Sequence, residues 1–338
     1  VTVAIGTEGA APVLARAIKA DLEERLPVSL GRLTRIGQAF RAASMKLPFG
    51  RTRRDFWADY YFNAGPRALA TGEDAAKAAL DTLLAKHLKA ETHEGHVIFV
   101  GAGPGDPELL TLKARAALDR ADVVIHDGLV PGEILELARR EATLVPVGKT
   151  GFGKSTPQDQ INAAMVDHAA QGLEVVRLKS GDPAVFGRLD EEIEALTNAG
   201  IAFTIIPGLT AASAAAASLG QSLTRRGRNS SARLITAHDT KGYAEQDWRA
   251  LARPGEVAAI YMGKRAARFV QGRLLMHGAD PATPVGIVEN ASRADERVIS
   301  TTLAALPDTL TAERLTGPAV IVLGIAQRVT AIENRETA

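Results

Sequence analysis

The sequence predicts an α/β protein with two lobes and a cleft between them, preceded by a helical region. Two series of near-continuous apolar segments alternate with helical segments after residue 95, and this pattern is typical of sheets whose two faces are both covered by helices. The stretch before them has helical periodicity and little strand signal.

Composition limits the classes of function. The 338 residues are enough for two or three domains, and 46% of them are hydrophobic. Because 40 basic residues balance 39 acidic ones, the chain lacks the basic excess of a general nucleic-acid binder. The absence of cysteine excludes disulfides, thiolate catalysis and cysteine-ligated metals. With no signal peptide and no apolar run near the roughly 18 residues that span a bilayer, we expect a cytoplasmic protein without a membrane partner.

The first 90 residues contain two predicted regions. "VTVAIG" followed by a helical segment predicts the last strand–helix unit of an α/β domain over residues 1–27, so we expect residue 1 to mark a truncation. Residues 28–90 are predicted to be helical. The aromatic cluster 56–62 in this region indicates either a small helical core or a subunit interface. "ETHEGH" is interpreted as a linker.

Ten apolar segments predict the strands of the two lobes. For the first lobe, residues 95–230, they are "HVIFVG", "ADVVIHD", "ATLVPVG", "LEVVRLKSGDP" and "AFTIIPG". For the second lobe, residues 231–330, they are "ARLITAH", "VAAIYMG", "TPVGIVEN", "ERVISTTL" and "PAVIVLG". The second set is more closely spaced along the chain, which favours a mixed sheet.

The glycine-rich turn after the first strand does not match a diphosphate-binding loop. In "VGAGPGD", Asp106 stands where a dinucleotide fingerprint requires its last glycine, and no Gly-Lys-Ser/Thr follows. We therefore predict a turn that allows a ligand to approach the backbone closely without cradling a diphosphate. The ends of the other strands supply small residues, a methionine and a few polar groups, at Asp127, Lys149, Asp182, Thr210, Met262 and Ala291. Ligands of open α/β sheets bind at such strand ends, and this set suits an uncharged adenosine with an amino-acid tail.

These motifs carry a family resemblance. "VGAGPGDPELLTLKA", "VVIHDGLV", "RLKSGDPAVFGR", "PGLTAASAAAASLG", "YMG" and "PVGIVEN" occur in the order seen in uroporphyrinogen-III C-methyltransferases of the tetrapyrrole methylase family. The resemblance runs from about residue 95 to 329 and implies the two-lobed tetrapyrrole methylase fold. The leading segment resembles the end of the NAD-binding dehydrogenase/ferrochelatase module of siroheme synthases, followed by their helical dimerisation region.

The resemblance implies transfer of methyl groups from S-adenosyl-L-methionine to C2 and C7 of uroporphyrinogen III, giving precorrin-2 and S-adenosyl-L-homocysteine. It also implies a homodimer and no metal. Cofactor contacts are expected from Pro104, Ser180, Gly181, Asp182, Val185, Thr210, Ala211, Met262 and Ala291. Asp127 matches the proposed proton acceptor and Lys149 the proposed donor. Substrate carboxylates are expected to meet Arg188, Glu191, Arg225, Arg226 and Arg228, with Lys154 as a further candidate cation.

Each assignment has a structural alternative. Asp127 could cap the helix near Pro131, Asp182 could form only an Asx-turn before Pro183, and Met262 could fill a gap in the core. The arginines after "SLT" could form a solvated loop. Gly128, Leu189, Asp190 and Ala291 depart from the family pattern, and the first three affect mainly the expected substrate contacts. Two other functions remain open: an NAD-dependent precorrin-2 dehydrogenase/sirohydrochlorin ferrochelatase remnant, and a non-catalytic binder of tetrapyrrole or cofactor.

Overall fold

A computed structural model describes residues 3–5, 10–27, 29–48, 50–89, 94–148, 156–239 and 242–328. The chain divides into two compact units, Val1–Glu94 and Gly95–Ala338. Within the described ranges, no helix has both the length and the apolar character that a bilayer span requires.

The first unit is helical. Its helices are α1 (Pro12–Arg25), α2 (Ser29–Ser44), α3 (Arg51–Ala58), α4 (Gly65–Leu69) and α5 (Glu73–Lys89), with a π-helical turn at Asp59–Ala64 between α3 and α4. Residues 3–5, the described part of the predicted first strand, have no regular secondary structure. Helix α1 buries none of its side chains, so it contributes nothing to the core of this unit.

The aromatic cluster of this unit forms a core and also leaves one ring on the surface. Phe56 and Tyr60 are fully buried and pack with leucines of α2 and α5. Phe62, by contrast, is 80% exposed. The prediction of a small helical core is therefore correct for most of the cluster, while Phe62 is free to contact another surface.

The second unit begins with a parallel five-stranded sheet. Its strands are β1 (His96–Gly101), β2 (Val123–Asp127), β3 (Thr143–Val147), β4 (Glu174–Lys179) and β5 (Ala202–Ile206), in the order β3-β2-β4-β1-β5. The intervening helices are α6 (Leu112–Arg120), α7 (Gly132–Leu135), α8 (Gln158–Ala170) and α9 (Leu189–Asn198), with a 3-10 turn at Pro107–Leu109. All pairings are parallel, so the carboxyl ends of these strands meet at one edge.

Both faces of this sheet are covered, which explains its near-continuous apolar strands. Ile98 and Val100 pack in the same core cluster as α6 and α7, while Val97 and Phe99 pack in the cluster of α8 and α9. The alternation follows from the two-residue period of a strand.

The second sheet is mixed, as its spacing in the sequence indicates. Its strands are β6 (Arg233–Thr236), β9 (Ala258–Tyr261), β10 (Pro284–Glu289), β11 (Arg297–Thr302) and β12 (Ala319–Leu323), in the order β11-β10-β12-β9-β6. Two short strands, β7 (His238–Asp239) and β8 (Gly242–Tyr243), form a separate hairpin. The remaining helices are α10 (Ala211–Ser218), α11 (Trp248–Leu251), α12 (Ala267–Met276) and α13 (Leu306–Glu313).

Helix α10 links the two lobes. It follows β5 of the first sheet, yet Ala212, Ala215 and the following Leu219 pack on the second sheet against Val288 and Val322. Because α10 starts at the carboxyl edge of the first sheet and lies on the second, it brings the strand ends of both sheets to one place. The boundary at residue 230 stays a prediction.

Candidate functional site

A cavity of about 610 Å³ lies where the two sheets meet. Loops after β1, β2 and β4 line it from the first sheet, and the ends of β9 and β10 line it from the second. The start of β12 also contributes, because β12 runs antiparallel to β9 and β10 and so begins where they end. This site is the shared hollow that the positions of the strand ends predict.

All nine residues assigned to the cofactor line this one cavity. They are Pro104, Ser180, Gly181, Asp182, Val185, Thr210, Ala211, Met262 and Ala291. The lining also contains residues that sequence reasoning did not select, among them Leu129, Phe186, His238, Tyr261, Lys264, Arg265, Asn290 and Arg293. The structure thus brings together the nine residues, and their roles stay a prediction.

Backbone packing shapes the floor of the site. The loops after β1 and β4 pair through Gly103 and Gly181, whose amides and carbonyls exchange hydrogen bonds of 3.1 and 2.7 Å. A Cβ on Gly101 would lie 2.5 Å from the Gly208 nitrogen and 2.7 Å from the Gly181 oxygen. Gly101 is therefore required because it packs against neighbouring backbone, and the close approach of a ligand to this turn stays a prediction.

Asp182 forms the predicted Asx-turn and a second link as well. Its Oδ1 accepts from the Ala184 amide at 2.8 Å, and its Oδ2 accepts from the Gly208 amide at 2.9 Å. The carboxylate therefore joins the loops after β4 and β5 while its side chain lines the cavity. The Asx-turn alone therefore does not account for the position of the Asp182 side chain.

Several residues at the cavity have left-handed backbone conformations. Phe186, Met262 and Asn290 have φ values of 52°, 55° and 52°. Non-glycine residues hold such conformations at a cost, and they cluster at functional sites. Met262 is 52% exposed, so it is not a gap filler of the core. Tyr261 connects the lobes: its hydroxyl contacts the Thr210 hydroxyl and accepts from the Ala212 amide at 3.0 Å.

The candidate catalytic carboxylate Asp127 ends β2 and belongs to a buried ionic network. Its Oδ1 accepts from Arg177 Nη2 at 2.6 Å. Arg177 Nε donates to Glu192 Oε1 at 3.0 Å, and Lys179 Nζ donates to Glu192 Oε2 at 2.6 Å. Two cations are thus balanced by two carboxylates. Asp127 does not cap α7, since its side chain is held by Arg177.

Exposure separates the members of this network. The Asp127 side chain is 32% exposed, whereas the side chains of Arg177, Lys179 and Glu192 are 3%, 4% and 0% exposed. Asp127 is therefore the network member that a bound molecule can reach. Burial, together with the Arg177 charge, lowers the pKa of Lys179, and Glu192 opposes this effect. Sequence reasoning missed these three residues; the signal available was two cations spaced two apart in a strand that is otherwise apolar after Glu174.

The predicted substrate residues lie elsewhere. Arg188 Nε and Nη2 donate to the two carboxylate oxygens of Glu191 at 2.8 and 2.5 Å, an exposed pair at the start of α9. This pair raises the pKa of Arg188 and lowers that of Glu191. Neither residue lines the cavity, so their contact with substrate stays a prediction.

Arg225, Arg226 and Arg228 line a separate, more open hollow within their own loop. Arg228 Nη2 donates to the Ser222 carbonyl at 2.6 Å, so this arginine helps to build the loop itself. The clamp role of the three arginines also stays a prediction. Lys149 and Lys154 lie outside the described residues.

Comparison with known proteins gives the family. Residues 96–307 match the family model for Tetrapyrrole (Corrin/Porphyrin) Methylases, and residues 29–84 match that for the sirohaem synthase dimerisation region. The siroheme synthase of Edwardsiella ictaluri is 42% identical over 325 residues, covering 95% of this chain and 69% of that protein. The one from Gluconacetobacter diazotrophicus is 44% identical over 328 residues, covering 96% and 69%.

Solved structures agree with these sequence matches. The uroporphyrin-III C-methyl transferase of Thermus thermophilus, complexed with S-adenyl homocysteine, is 36% identical with a TM-score of 0.58, covering 68% of this chain and 92% of that one. A cobalamin biosynthetic enzyme, cobalt precorrin-4 methyltransferase, is 28% identical with a TM-score of 0.61, covering 68% and 94%. On the strength of its motifs, its two-lobed fold and these matches, the chain belongs to the tetrapyrrole methylase family.

Proposed function

We propose that this chain methylates uroporphyrinogen III at C2 and C7, using S-adenosyl-L-methionine, and so produces precorrin-2. The observation that carries the proposal is the convergence of nine residues, expected from the family resemblance to contact the cofactor, on one cavity that Leu129 also lines. Related proteins point to the same chemistry, since the matched Thermus thermophilus enzyme is a uroporphyrin-III C-methyl transferase solved with S-adenyl homocysteine.

The cavity fits an adenosine carrying an amino-acid tail. Its volume of about 610 Å³ lies in the range of small-molecule sites. Val185, Ala211 and Val288 offer apolar surface for a base, while Ser180, Asp182 and Thr210 offer polar atoms. Bound S-adenosyl-L-methionine supplies a methyl group already activated by its sulfonium.

The residues of this chain contribute alignment and proton transfer. Alignment of reactants held in one cavity lowers the barrier by removing the entropic cost of their encounter. Methyl transfer makes the attacked pyrrole carbon quaternary and leaves the ring cationic, so the ring must lose a proton from another position. Asp127 is the partly exposed carboxylate that can accept it. Arg177 holds that carboxylate in place at 2.6 Å. Asp127 itself does not line the cavity, whereas Leu129, two residues further along the chain, does.

Incubation with uroporphyrinogen III and S-adenosyl-L-methionine tests the proposal. We expect a product whose mass corresponds to two added methyl groups and whose absorption is that of precorrin-2 or, after oxidation, sirohydrochlorin. Binding of both compounds without methylated product would instead favour the non-catalytic binder. A product bearing methyl groups at other positions would place the chain with another substrate of the same family.

The dehydrogenase/ferrochelatase alternative has less support. Residues 3–5 form no strand and α1 buries no side chain, so the described part of residues 1–27 provides no nucleotide-binding sheet. Titration with NAD⁺ tests this alternative, and we expect no binding.

We also propose that the chain forms a homodimer through residues 29–84, which match the sirohaem synthase dimerisation region. The exposed ring of Phe62 in this region is a candidate contact. Light scattering after gel filtration should give twice the chain mass, and Phe62→Glu should lower it towards the monomer. The cytoplasmic location of the protein also stays a prediction.

A further inference from the structure

The loop after β10 reaches from the second lobe to two loops of the first. Arg293 Nη2 donates to the Leu129 carbonyl at 2.6 Å, and its Nε donates to the Pro104 carbonyl at 3.5 Å. Beside it, the Ser292 hydroxyl accepts from the Asp106 amide at 3.1 Å. Pro104, Leu129 and Arg293 all line the cavity, so these contacts join its opposite walls.

The loop holds Arg293 in a fixed position. Asn290 and Ser292 have left-handed φ values of 52° and 66°, conformations that the surrounding structure must support. Two acidic side chains provide that support. Asp295 Oδ2 accepts from Asn290 Nδ2 at 2.7 Å, and Glu296 Oε2 accepts from the Ser292 amide at 2.5 Å. The strained backbone therefore aims residues 292 and 293 at the first lobe.

The first lobe leaves room for this arm. A Cβ on Gly105 would overlap Cγ of Arg293, so a larger residue would displace the arginine side chain. Glycine at position 105 thus has a second explanation, independent of ligand approach: it lets the arginine cross the turn after β1.

The chemistry of these contacts suits a link that opens and closes. Within the described part of the chain, the hydrogen bonds of the Arg293 side chain go to the backbone carbonyls of Pro104 and Leu129. Carbonyls hold a guanidinium less strongly than a carboxylate does. Water can replace these carbonyls as hydrogen-bond acceptors of Arg293 when the loops separate. A buried arginine–carboxylate pair would resist such separation much more strongly.

We infer that Arg293 is an interlobe latch: a positioning residue that holds the Pro104 and Leu129 loops over the cavity and slows the release of the bound S-adenosyl compound. The inference rests on the proposed function for the identity of that compound. In this proposal the bound compound leaves faster when the Pro104 and Leu129 loops move away from Arg293, so losing the latch raises the fraction of molecules with separated loops. Apparent affinity then falls in proportion to the loss of the closed form.

Binding measurements on the full chain test the latch without any assay of turnover. Calorimetry gives the Kd of S-adenosyl-L-homocysteine and of S-adenosyl-L-methionine, and stopped-flow displacement gives their release rates. For Arg293→Ala we expect both Kd values to rise about tenfold, the factor expected for losing one charge-assisted hydrogen bond, mainly through faster release. Arg293→Lys should lose most of the same affinity, because a lysine ammonium lacks the fork that reaches two carbonyls. Ser292→Ala should show a smaller rise in the same direction.

Two control variants distinguish a latch role of Arg293 from a simple effect of its positive charge. Arg268→Ala removes an exposed arginine of α12 whose ion pair with Asp308 is long, at 3.9 Å, and should bind like the wild type. Arg265→Ala removes another cavity-lining cation from the same lobe. If Arg293 acted only as a positive charge, Arg265→Ala would reproduce its effect. In that case, removing the positive charge of Arg293 would also raise the affinity for cationic S-adenosyl-L-methionine relative to that for neutral S-adenosyl-L-homocysteine. A latch affects both ligands equally.

The outcomes divide clearly. If the wild type binds both ligands and Arg293→Ala binds them with the same Kd values, the latch alone is overturned. The latch is also overturned if Arg293→Ala changes the two Kd values by different factors, or if Arg265→Ala changes them as much as Arg293→Ala does. A wild-type chain that binds neither ligand overturns the proposed function and the latch together. Melting temperatures of all variants within a few degrees of the wild type show that altered binding does not reflect unfolding.

Discussion

Arg177 Nη2 donates a hydrogen bond to Asp127 Oδ1 at 2.6 Å, across the boundary between a buried network and the partly exposed end of β2. Arg177 is held in turn by Glu192 and by two backbone carbonyls, those of Ile125 and Leu178. The guanidinium therefore fixes one oxygen of Asp127 and leaves the rest of the carboxylate for a bound molecule.

Loss of the Arg177–Asp127 contact should lower kcat more than it lowers the affinity for the cofactor. Arg177→Gln removes the positive charge and the guanidinium group that donates to Asp127. We therefore expect kcat to fall by about 10- to 100-fold through misplacement of Asp127. Asp127→Asn should lower kcat further. Steady-state kinetics, with calorimetry of S-adenosyl-L-homocysteine binding, measure both effects.

A double variant shows whether Arg177 acts through Asp127. In the Asp127→Asn background, Arg177→Gln should have little further effect on kcat, because the group that it positions is already lost. Additive losses, or a fall in cofactor affinity as large as the fall in kcat, would mean that Arg177 has a general structural role.

Glu192 should be important for stability. It is fully buried and accepts from both Arg177 and Lys179, so Glu192→Ala removes the carboxylate from Lys179 and leaves Arg177 with Asp127 alone. We expect a loss of about 3–5 kcal/mol in the free energy of unfolding, measured by urea titration. The neighbouring Glu191 provides the control, since its pair with Arg188 is half exposed and Glu191→Ala should cost less than about 1 kcal/mol. Similar losses for the two variants would contradict the role of burial.

Gly101 should not tolerate a side chain. The backbone atoms that a Cβ would meet belong to Gly208 and Gly181, and they cannot rotate away. Gly101→Ala should cost about 1–3 kcal/mol of stability and weaken binding at the cavity. Gly272 lies in α12 with no heavy atom within 4 Å of the position that a Cβ would take, so Gly272→Ala should stabilise the same unit by about 0.5–1 kcal/mol. Thermal unfolding compares the two, and a neutral Gly101→Ala would refute the close packing of the loops.

Alkaline pH should destabilise the helical unit through Tyr60. Burial raises the pKa of Tyr60 from 10.0 to about 12. Since the unfolded state loses its proton near pH 10 and the folded state retains it, stability should be full below pH 10. It should then fall by roughly 2–3 kcal/mol as the pH rises to 12. Tyr60→Phe should show a smaller fall, because burial also raises the pKa of Tyr61.

Tyr60→Phe should also be at least as stable as the wild type at neutral pH. The Tyr60 hydroxyl is buried and has no hydrogen-bond partner among the described residues, so its removal costs no hydrogen bond. Fluorescence of Trp57 in a Trp248→Phe background reports on this unit alone. An equal alkaline loss in Tyr60→Phe and its parent would assign the effect to other groups.

The sequence was sufficient for the strands because their signals are local, and for the cavity because its residues stand in motifs that resemble those of tetrapyrrole methylases. Each of the ten predicted apolar segments after residue 95 contains a strand. The cofactor residues from Pro104 to Val185 follow strands of the parallel sheet, which brings them to one edge, while Met262 and Ala291 follow strands of the mixed sheet. The mixed second sheet was also predictable, because its strands are too closely spaced for helical crossovers throughout.

Other features depend on side-chain pairings between distant segments. Nothing in "GRLDEE" distinguishes buried Glu192 from exposed Glu191, since the difference arises only when α9 packs beside Arg177 and Lys179. Arg293 lies 164 residues from Leu129 in a loop without periodicity, so its contact becomes visible only in three dimensions. The predicted first strand is absent from residues 3–5, where no neighbouring strand is described to pair with it.

A crystal structure of the chain with S-adenosyl-L-homocysteine tests the central claim most directly. We predict that the ligand occupies the 610 Å³ cavity, with its polar tail near Ser180 and Asp182 and its adenosine among Thr210, Ala211 and Met262. A ligand bound outside this cavity, or a cavity that stays empty at saturating concentration, would contradict the assignment of these strand ends to methyl transfer.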